Sequence, residues 1–193
     1  MKLPHLVCTA GALLAVLAPP AGAQDALETV ERLADSGRFT DARTTLDRWN
    51  ADHPPAERVP ASTRAHALLL AARLTVDPTA AEETYQAVAL SYPTTVFAAE
   101  ALLRLGQGLV ALAATGQRRG AADRAVQFLE RLVRDYPGNE HRGSAWLWLV
   151  RAHALAGNTQ RACTAARKAI GDGMTSEDMH DMLIVEQSIA CDA

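Results

Sequence analysis

Three times along the chain an alanine is followed, twelve positions later, by a proline, with helix-forming sequence between them: Ala42 to Pro54, Ala81 to Pro93 and Ala125 to Pro137. A fourth alanine, Ala162, has the same helix-forming sequence after it but Met174 in the proline place. Proline cannot continue a helix and pushes the residue before it out of helical conformation, so each spacing marks a helix of set length with a hard stop. Ahead of the first and last alanines stand Gly37-Arg38-Phe39 and Gly157-Asn158-Thr159, a G-x-[FT]-x-x-A turn suited to joining two helices. Units of this kind cannot each bury their own apolar face, so they must stack into an array. The competing architecture is an ordinary helical bundle with alanine-rich contacts. Three spacings of equal length argue against it.

Taking the alanine as position 20 of a 34-residue unit places the remaining residues. The fourth copy has Trp146, Leu149, His153, Gly157 and Ala169 where a tetratricopeptide repeat (TPR) has W-x2-L-G-x2-Y and its later small residues, with Val150 for the glycine and His153 for the tyrosine. The third has Leu102, Leu105, Gly106 and Leu109, and needs seven extra residues, assigned to Ala114 to Gly120, to reach Ala125. The second copy has Ala65, Leu68, Leu69 and Ala72, and the first Ala26, Val30, Leu33 and Gly37. Small residues at positions 8, 20 and 27 allow two antiparallel helices to cross closely, and larger apolar residues three and four apart fill the space around them. The register predicts an all-α, TPR-like right-handed solenoid of about four helix pairs, with repeats over about 24–56, 62–95, 99–139 and 143–174.

Local signals refine this outline. Thr79 to Glu82 reads as a capping box after the Asp77-Pro78 turn. Pro55 to Ala61 separates the first two repeats. Trp49 falls where alanine is usual, which predicts a second helix lying loosely or at an edge in the first repeat. Residues 175–193 read as a C-terminal capping helix, started by Thr175 or Ser176, with Met179, Met182, Leu183, Ile189 and Ala190 on one face. Such a helix would cover the apolar end that every repeat array exposes.

Residues 1–23 have the order of a secretory signal peptide: Lys2, an apolar run from Leu6 to Leu17, Pro19-Pro20, then Ala21-Gly22-Ala23 before Gln24. Cys8 follows Val7 and precedes most of the apolar run, so no lipid anchor is expected. The exported chain of 170 residues suffices for one substantial core. Without Lys2 the 19 basic residues become 18 against 22 acidic, a charge of −4, which disfavours nucleic acid as a partner. No second apolar run suggests a transmembrane segment. The exported chain retains two cysteines, Cys163 and Cys191, expected to pair as a disulfide in an oxidising compartment. A straight helix from Ser176 would place Cys191 too far along its partner for the sulfurs to meet, so that helix must start late, end early or cross at an angle.

No catalytic constellation is present: neither a nucleophile elbow, nor a phosphate loop, nor H-E-x-x-H. The histidines lack metal-ligand spacing, and a zinc site from His153, Cys163, His180 and Cys191 is the weaker alternative to the disulfide. Neither a metal nor a cofactor is expected, and the chain reads as a non-enzyme. In a stacked array the partner meets the face lined by first helices. There the register places His66, Leu70 and Arg73, then Leu103, Gln107 and Val110, then Leu147, Arg151 and Leu155, with Arg104 beside them. Aliphatic side chains with arginines would suit a peptide carrying a carboxylate, although each arginine could equally be solvated surface. Trp146 and Trp148 are about 200° apart on their helix. Trp146 takes the packing position, and Trp148 either packs between repeats or stands exposed as a binding anchor.

Tyr92-Pro93, the apolar helix containing Ala101 to Gly106, then Glu130 to Asp135 and Tyr136-Pro137-Gly138-Asn139 together resemble bacterial cell-envelope TPR proteins. Among these are the outer-membrane β-barrel assembly lipoprotein and the periplasmic TPR protein associated with the Tol-Pal system. The likeness covers roughly residues 25–172. It implies a periplasmic or secreted scaffold that binds protein or peptide partners. The other readings are an accessory or regulatory subunit of a cell-wall-processing enzyme, and a purely structural spacer.

Overall fold

The computed structural model describes residues 21–55, 57–172, 174–189 and 191. Those residues form α1 (Ala21–Asp35), α2 (Phe39–Asp52), α3 (Ala61–Leu74), α4 (Pro78–Ser91), α5 (Val96–Ala114), α6 (Ala121–Asp135), α7 (Arg142–Leu155), α8 (Thr159–Gly171) and α9 (Ser176–Ser188), with no strand among them. Residues 1–20, which hold most of the expected signal peptide, lie outside the described part. Helix α1 begins at Ala21, before the expected cleavage point.

Each consecutive pair of helices packs together, and so do the alternate helices α1 with α3, α3 with α5, α5 with α7 and α7 with α9. The second helices α2, α4, α6 and α8 stand farther apart, α4 and α6 meeting through long side chains, with Arg124 on Glu82 and Arg131 on the Ala89 carbonyl. This is a stacked all-α array of four helix pairs and a terminal helix, with the first helices as its spine.

The three prolines act alike. The residues before or near them, His53, Tyr92 and Tyr136, have φ between −126° and −129° and close their helices through backbone N–H bonds to Trp49, Val88 and Leu132. The tyrosines do more than end a helix. Tyr136 Oη donates to the Pro93 carbonyl at 2.7 Å and so ties the end of the third repeat to the end of the second. Gly37, Gly116 and Gly157 all take positive φ, and the residue after each donates to a carbonyl five back, as Asn158 does to His153. Only glycine adopts this left-handed turn without strain.

The recurrence at Gly116 locates the insertion. Gly116 stands 14 residues after Leu102, whereas Gly157 stands 11 after Trp146, and Ala125 follows its glycine by nine residues rather than five. Three of the seven extra residues therefore lengthen α5, and the other four fall in the loop to α6. The loop is fastened: Arg118 and Arg124 each reach a different oxygen of Glu82 on α4, both at 2.5 Å. Burial pushes the Glu82 carboxyl up, but the two guanidinium hydrogen bonds outweigh it and hold it below the usual carboxylate range. This use of Glu82 corrects the expected capping box, since Asp77 is the cap and accepts from the Thr79 N–H at 3.0 Å. Pro78 occupies the first helical position, where no donor is lost.

The core has two connected parts. One holds Leu27, Val30, Leu46 and Trp49 with Ala67, Leu70 and Leu74 of α3, and the other runs from Ala65 and Leu69 through α8 to Met182 and Val185. Helix α3 is apolar on opposite sides because it lies between them. Trp49 is buried, stacked on His53 with the Arg64 guanidinium over its ring, so the first repeat is not loose there. A β-carbon on Gly106 would overlap the Leu129 side chain, which shows how closely α5 and α6 cross.

Helix α5 is apolar and long enough, by length and composition, to cross a bilayer, contrary to the sequence expectation; half of that window is buried within the array. At the far end, Thr175 caps α9 by accepting from the Asp178 N–H. Met182 and Val185 face inward, whereas Leu183, assigned to the buried face, is exposed beside Ile184. Ala190 lies outside the described residues. Helix α9 ends at Ser188, and the chain beyond brings Cys191 to disulfide distance of Cys163, with Cα atoms 5.5 Å apart. An early end to the helix removes the geometric obstacle.

Two outcomes are expected. Gly106→Ala should destabilise, because overpacking against buried Leu129 costs about 1–3 kcal/mol and outweighs the roughly 1 kcal/mol gain in helix propensity. Gly108→Ala, whose β-carbon meets nothing, should stabilise by about 0.5–1 kcal/mol; urea unfolding of both variants checks the pair. Reducing the Cys163–Cys191 bond, worth roughly 3 kcal/mol of chain entropy for a loop of this size, should raise amide exchange across 176–188 while leaving α5 and α6 unchanged.

Candidate partner-binding face

The first helices place the expected site residues along one side, but the side is more polar than the register predicted. Leu70, Leu103, Val110 and Leu147 are at most 5 % exposed, because adjacent first helices close over them. Leu147 is thus a packing residue, not a groove residue. What faces outward is a set of charged and aromatic side chains joined across helices.

His66 on α3 lies between α1 and α5. Its ring stacks on Phe97 with centroids 4.5 Å apart, and its Nε2 is 3.5 Å from Glu31. Burial pushes the imidazole pKa down against the opposing pull of Glu31 and Glu100. Arg73, two turns on, bonds Asp35 of α1 at 2.5 Å. Arg104 reaches Glu100 at 3.3 Å and Gln107 at 3.5 Å, all on α5. Three of the expected cationic or basic residues therefore already face an acidic neighbour within the chain. The His66 and Arg73 pairs join the second repeat to the first, and partly solvated pairs add little to stability.

Arg151 differs. Its guanidinium lies 4.7 Å from the Trp148 ring centre, and none of the described carboxylates pairs with it. Trp148 is half-buried against the core, so one part of its ring packs between repeats and the rest supports the arginine. The sequence posed packing and exposure as alternatives for Trp148; the structure has both. Leu155, one turn beyond Arg151, is exposed.

Two hollows lie between helices, the first bordered by Arg104. One, of about 370 Å³, opens between α4 and α5, where Ala81, Leu105, Gly108 and Leu109 meet Tyr85. The other, of about 530 Å³, lies between α6 and α8 over the side of α7 that carries Trp146, Leu149 and His153. The register had assigned Trp146 and His153 to packing, and both are buried. No group of three or more His, Cys, Asp or Glu among the described residues is arranged to hold a metal ion.

Comparison with known proteins places these observations. Residues 100–139, which hold most of α5, all of α6 and the turn that follows, match the model of the Tetratricopeptide repeat family. The fold is similar to the crystal structure of a thermophilic TPR protein of Thermus thermophilus, with a TM-score of 0.62 and 20 % identity over 87 % of this chain and 83 % of that one. No curated protein matches the chain. The described residues thus form a TPR-like fold, of the kind that serves as a scaffold for protein contacts.

The two histidines held within the array give it a pH dependence. Burial lowers the pKa of His66 and of His153 below 6.5, so the unfolded chain takes up protons that the folded chain refuses. Their contribution to stability is complete above about pH 6.5 and is lost as pH falls through the folded values. The Glu82 contribution is lost only below about pH 4.5, since its folded pKa lies under that unfolded value. The urea midpoint should therefore fall between pH 7 and pH 5, and His153→Phe should flatten part of that fall. An unchanged slope in the variant counts against the assignment.

Proposed function

We propose that the chain is a scaffold of the bacterial periplasm or envelope that binds a partner protein or peptide along its first-helix face and performs no catalysis of its own. The observation that carries this reading is the Trp148–Arg151 pair. An aromatic ring held by packing, with a guanidinium stacked on it and no internal carboxylate to occupy it, is the composition that dominates binding energy in protein interfaces. Arg73 and Arg104 lie on the same side but are held by Asp35 and Glu100, so they orient the partner rather than anchor it.

A partner with a carboxylate next to an apolar residue fits this pair best. Its carboxylate takes Arg151 in two hydrogen bonds, and its apolar neighbour covers the exposed parts of Trp148 and Leu155. The face is set by rigid helices, so little ordering cost falls on the scaffold. Export is supported by the order of charge, apolar run and small residues over 1–23, and the envelope setting by the Tyr-Pro junctions at Tyr92 and Tyr136.

A photo-crosslinking residue at position 155, replacing exposed Leu155 and leaving Trp148 and Arg151 intact, is expected to trap one dominant envelope protein in growing cells. Trp148→Ala should reduce that product at least tenfold, as loss of an interface anchor costs about 2 kcal/mol or more. The protein recovered from the cell envelope should begin at Gln24. Crosslinks spread over many proteins, unaffected by Trp148→Ala, would sink the binding assignment, and an N-terminus at Met1 the export.

A further inference from the structure

The hollow between α6 and α8 has a composition that packing does not explain. Its floor contains the side chains of Trp146 and His153, at 5 % and 4 % exposure, and the Trp146 Nε1–H and His153 Nδ1 have no hydrogen-bond partner. An indole N–H is only a donor, and a buried donor left unpaired is costly. Native proteins rarely leave such groups unpaired, and here an indole N–H and an imidazole nitrogen occur within two turns of one helix, on two side chains that line the same cavity.

The rim is basic. Arg161 and Lys168 come from α8, a helix with three basic residues and no acidic one. Neither is paired with a described carboxylate, and the Lys168 ammonium lies 5.4 Å from the Trp146 ring centre. Arg134 enters from α6, already bonded to Asp135, and Gln160 and Thr164 add neutral polar groups. Glu130 is the one acidic residue in the lining, 3.9 Å from His153 Nε2. A concentration of unpaired positive charge in a chain of net charge −3 selects anions, and donors without acceptors select groups that only accept.

We propose that this furrow is a second binding site, distinct from the first-helix face, for an acidic peptide segment. A glutamate or aspartate carboxylate is held by Arg161 and Lys168, above the Trp146 ring that the Lys168 ammonium already overlies. The site exists because α6 and α8 do not pack on each other: one side of α7 forms the bottom of the furrow between them, and here it presents an indole and an imidazole. Its side of α7 is about opposite the side that carries Trp148 and Arg151, so one scaffold could hold two segments at once.

The test uses the full chain with a fluorescein-labelled peptide of alternating glutamate and leucine, and its lysine counterpart as control. The glutamate peptide is expected to bind, with affinity falling as salt rises. The double variant Arg161→Glu, Lys168→Glu should weaken it at least tenfold, and the neutral Arg161→Gln, Lys168→Gln by less. Both positions are exposed, and circular dichroism establishes that the variants fold. In protein carrying ¹⁵N-labelled tryptophan, the Trp146 indole resonance, assigned with Trp146→Phe, should shift on binding while that of Trp148 stays. No binding overturns the proposal. So does binding that survives the α8 variants but is lost in Arg151→Glu, which would place the peptide on the first-helix face instead. A Trp146 shift of equal size with inorganic phosphate at the same concentration would also overturn it, reducing the furrow to a site for any small anion.

Discussion

Contact between successive first helices is the constraint on which the array depends. Helices α1, α3, α5, α7 and α9 each touch the next, while the four second helices pack on first helices and stand apart from one another, α4 and α6 being bridged by arginine side chains. The spine must therefore be nearly all small or aliphatic at its seams, which is why Ala65, Ala72, Ala98, Ala101, Ala145 and Ala152 are sealed. Small residues let backbones approach, and close packing supplies most of the stabilisation that individually weak contacts can give. Leu70, Leu103, Val110 and Leu147 are drawn into the same seams. The outward side of the spine is left to residues that tolerate water, and the spread second helices leave furrows between them.

The insertion shows how the array absorbs extra chain without losing its register. Three more residues in α5 carry its end past the normal turn, and the turn itself, built on Gly116, is unchanged. The longer loop would be free to move if it were not held by Glu82, which takes one guanidinium from the loop and one from α6. All three side chains remain partly open to solvent, so the clasp positions the loop more than it stabilises the fold. Beside it, Ala81 is the one signature alanine that is not sealed: it borders a hollow where Gly108 offers no side chain to cover it.

The repeat frame was legible because it rests on sterics that leave direct marks in sequence. Proline stops, glycine turns and the alanines at 42, 125 and 162 each have one physical meaning, and the helix pairs follow from them. What could not be read depends on distance across the array. That Glu82 would serve Arg118 and Arg124 rather than cap its own helix required knowing that the loop folds back. Trp49 looked too large for its place because the register does not reveal that α3 turns a second apolar side toward it. The candidate face was half legible: the register could assign Arg73, Arg104 and Arg151 to first helices, but it could not show that Asp35 and Glu100 already occupy two of them. The furrow over Trp146 and His153 left almost no signal, since both residues occupy positions that packing alone would explain. Only the basic, acid-free sequence of α8 hinted at it.

The terminal helix completes the logic of the spine. The last first helix, α7, would have no successor, and α9 takes that place by burying Met182 and Val185 against it. The approach is close: a β-carbon on Gly143 would lie 2.5 Å from Asp178 Oδ2, and Ser144 bonds the same carboxylate at 3.2 Å. Yet α9 has only two buried side chains, and its burial alone cannot offset the entropy of ordering thirteen residues. The covalent link from Cys191 back to α8 offsets part of that cost, since it limits the conformations open to the chain when α9 is undocked. A repeat array stacked on small residues has weak ends by construction, and here the weak end is closed by chemistry where packing runs out.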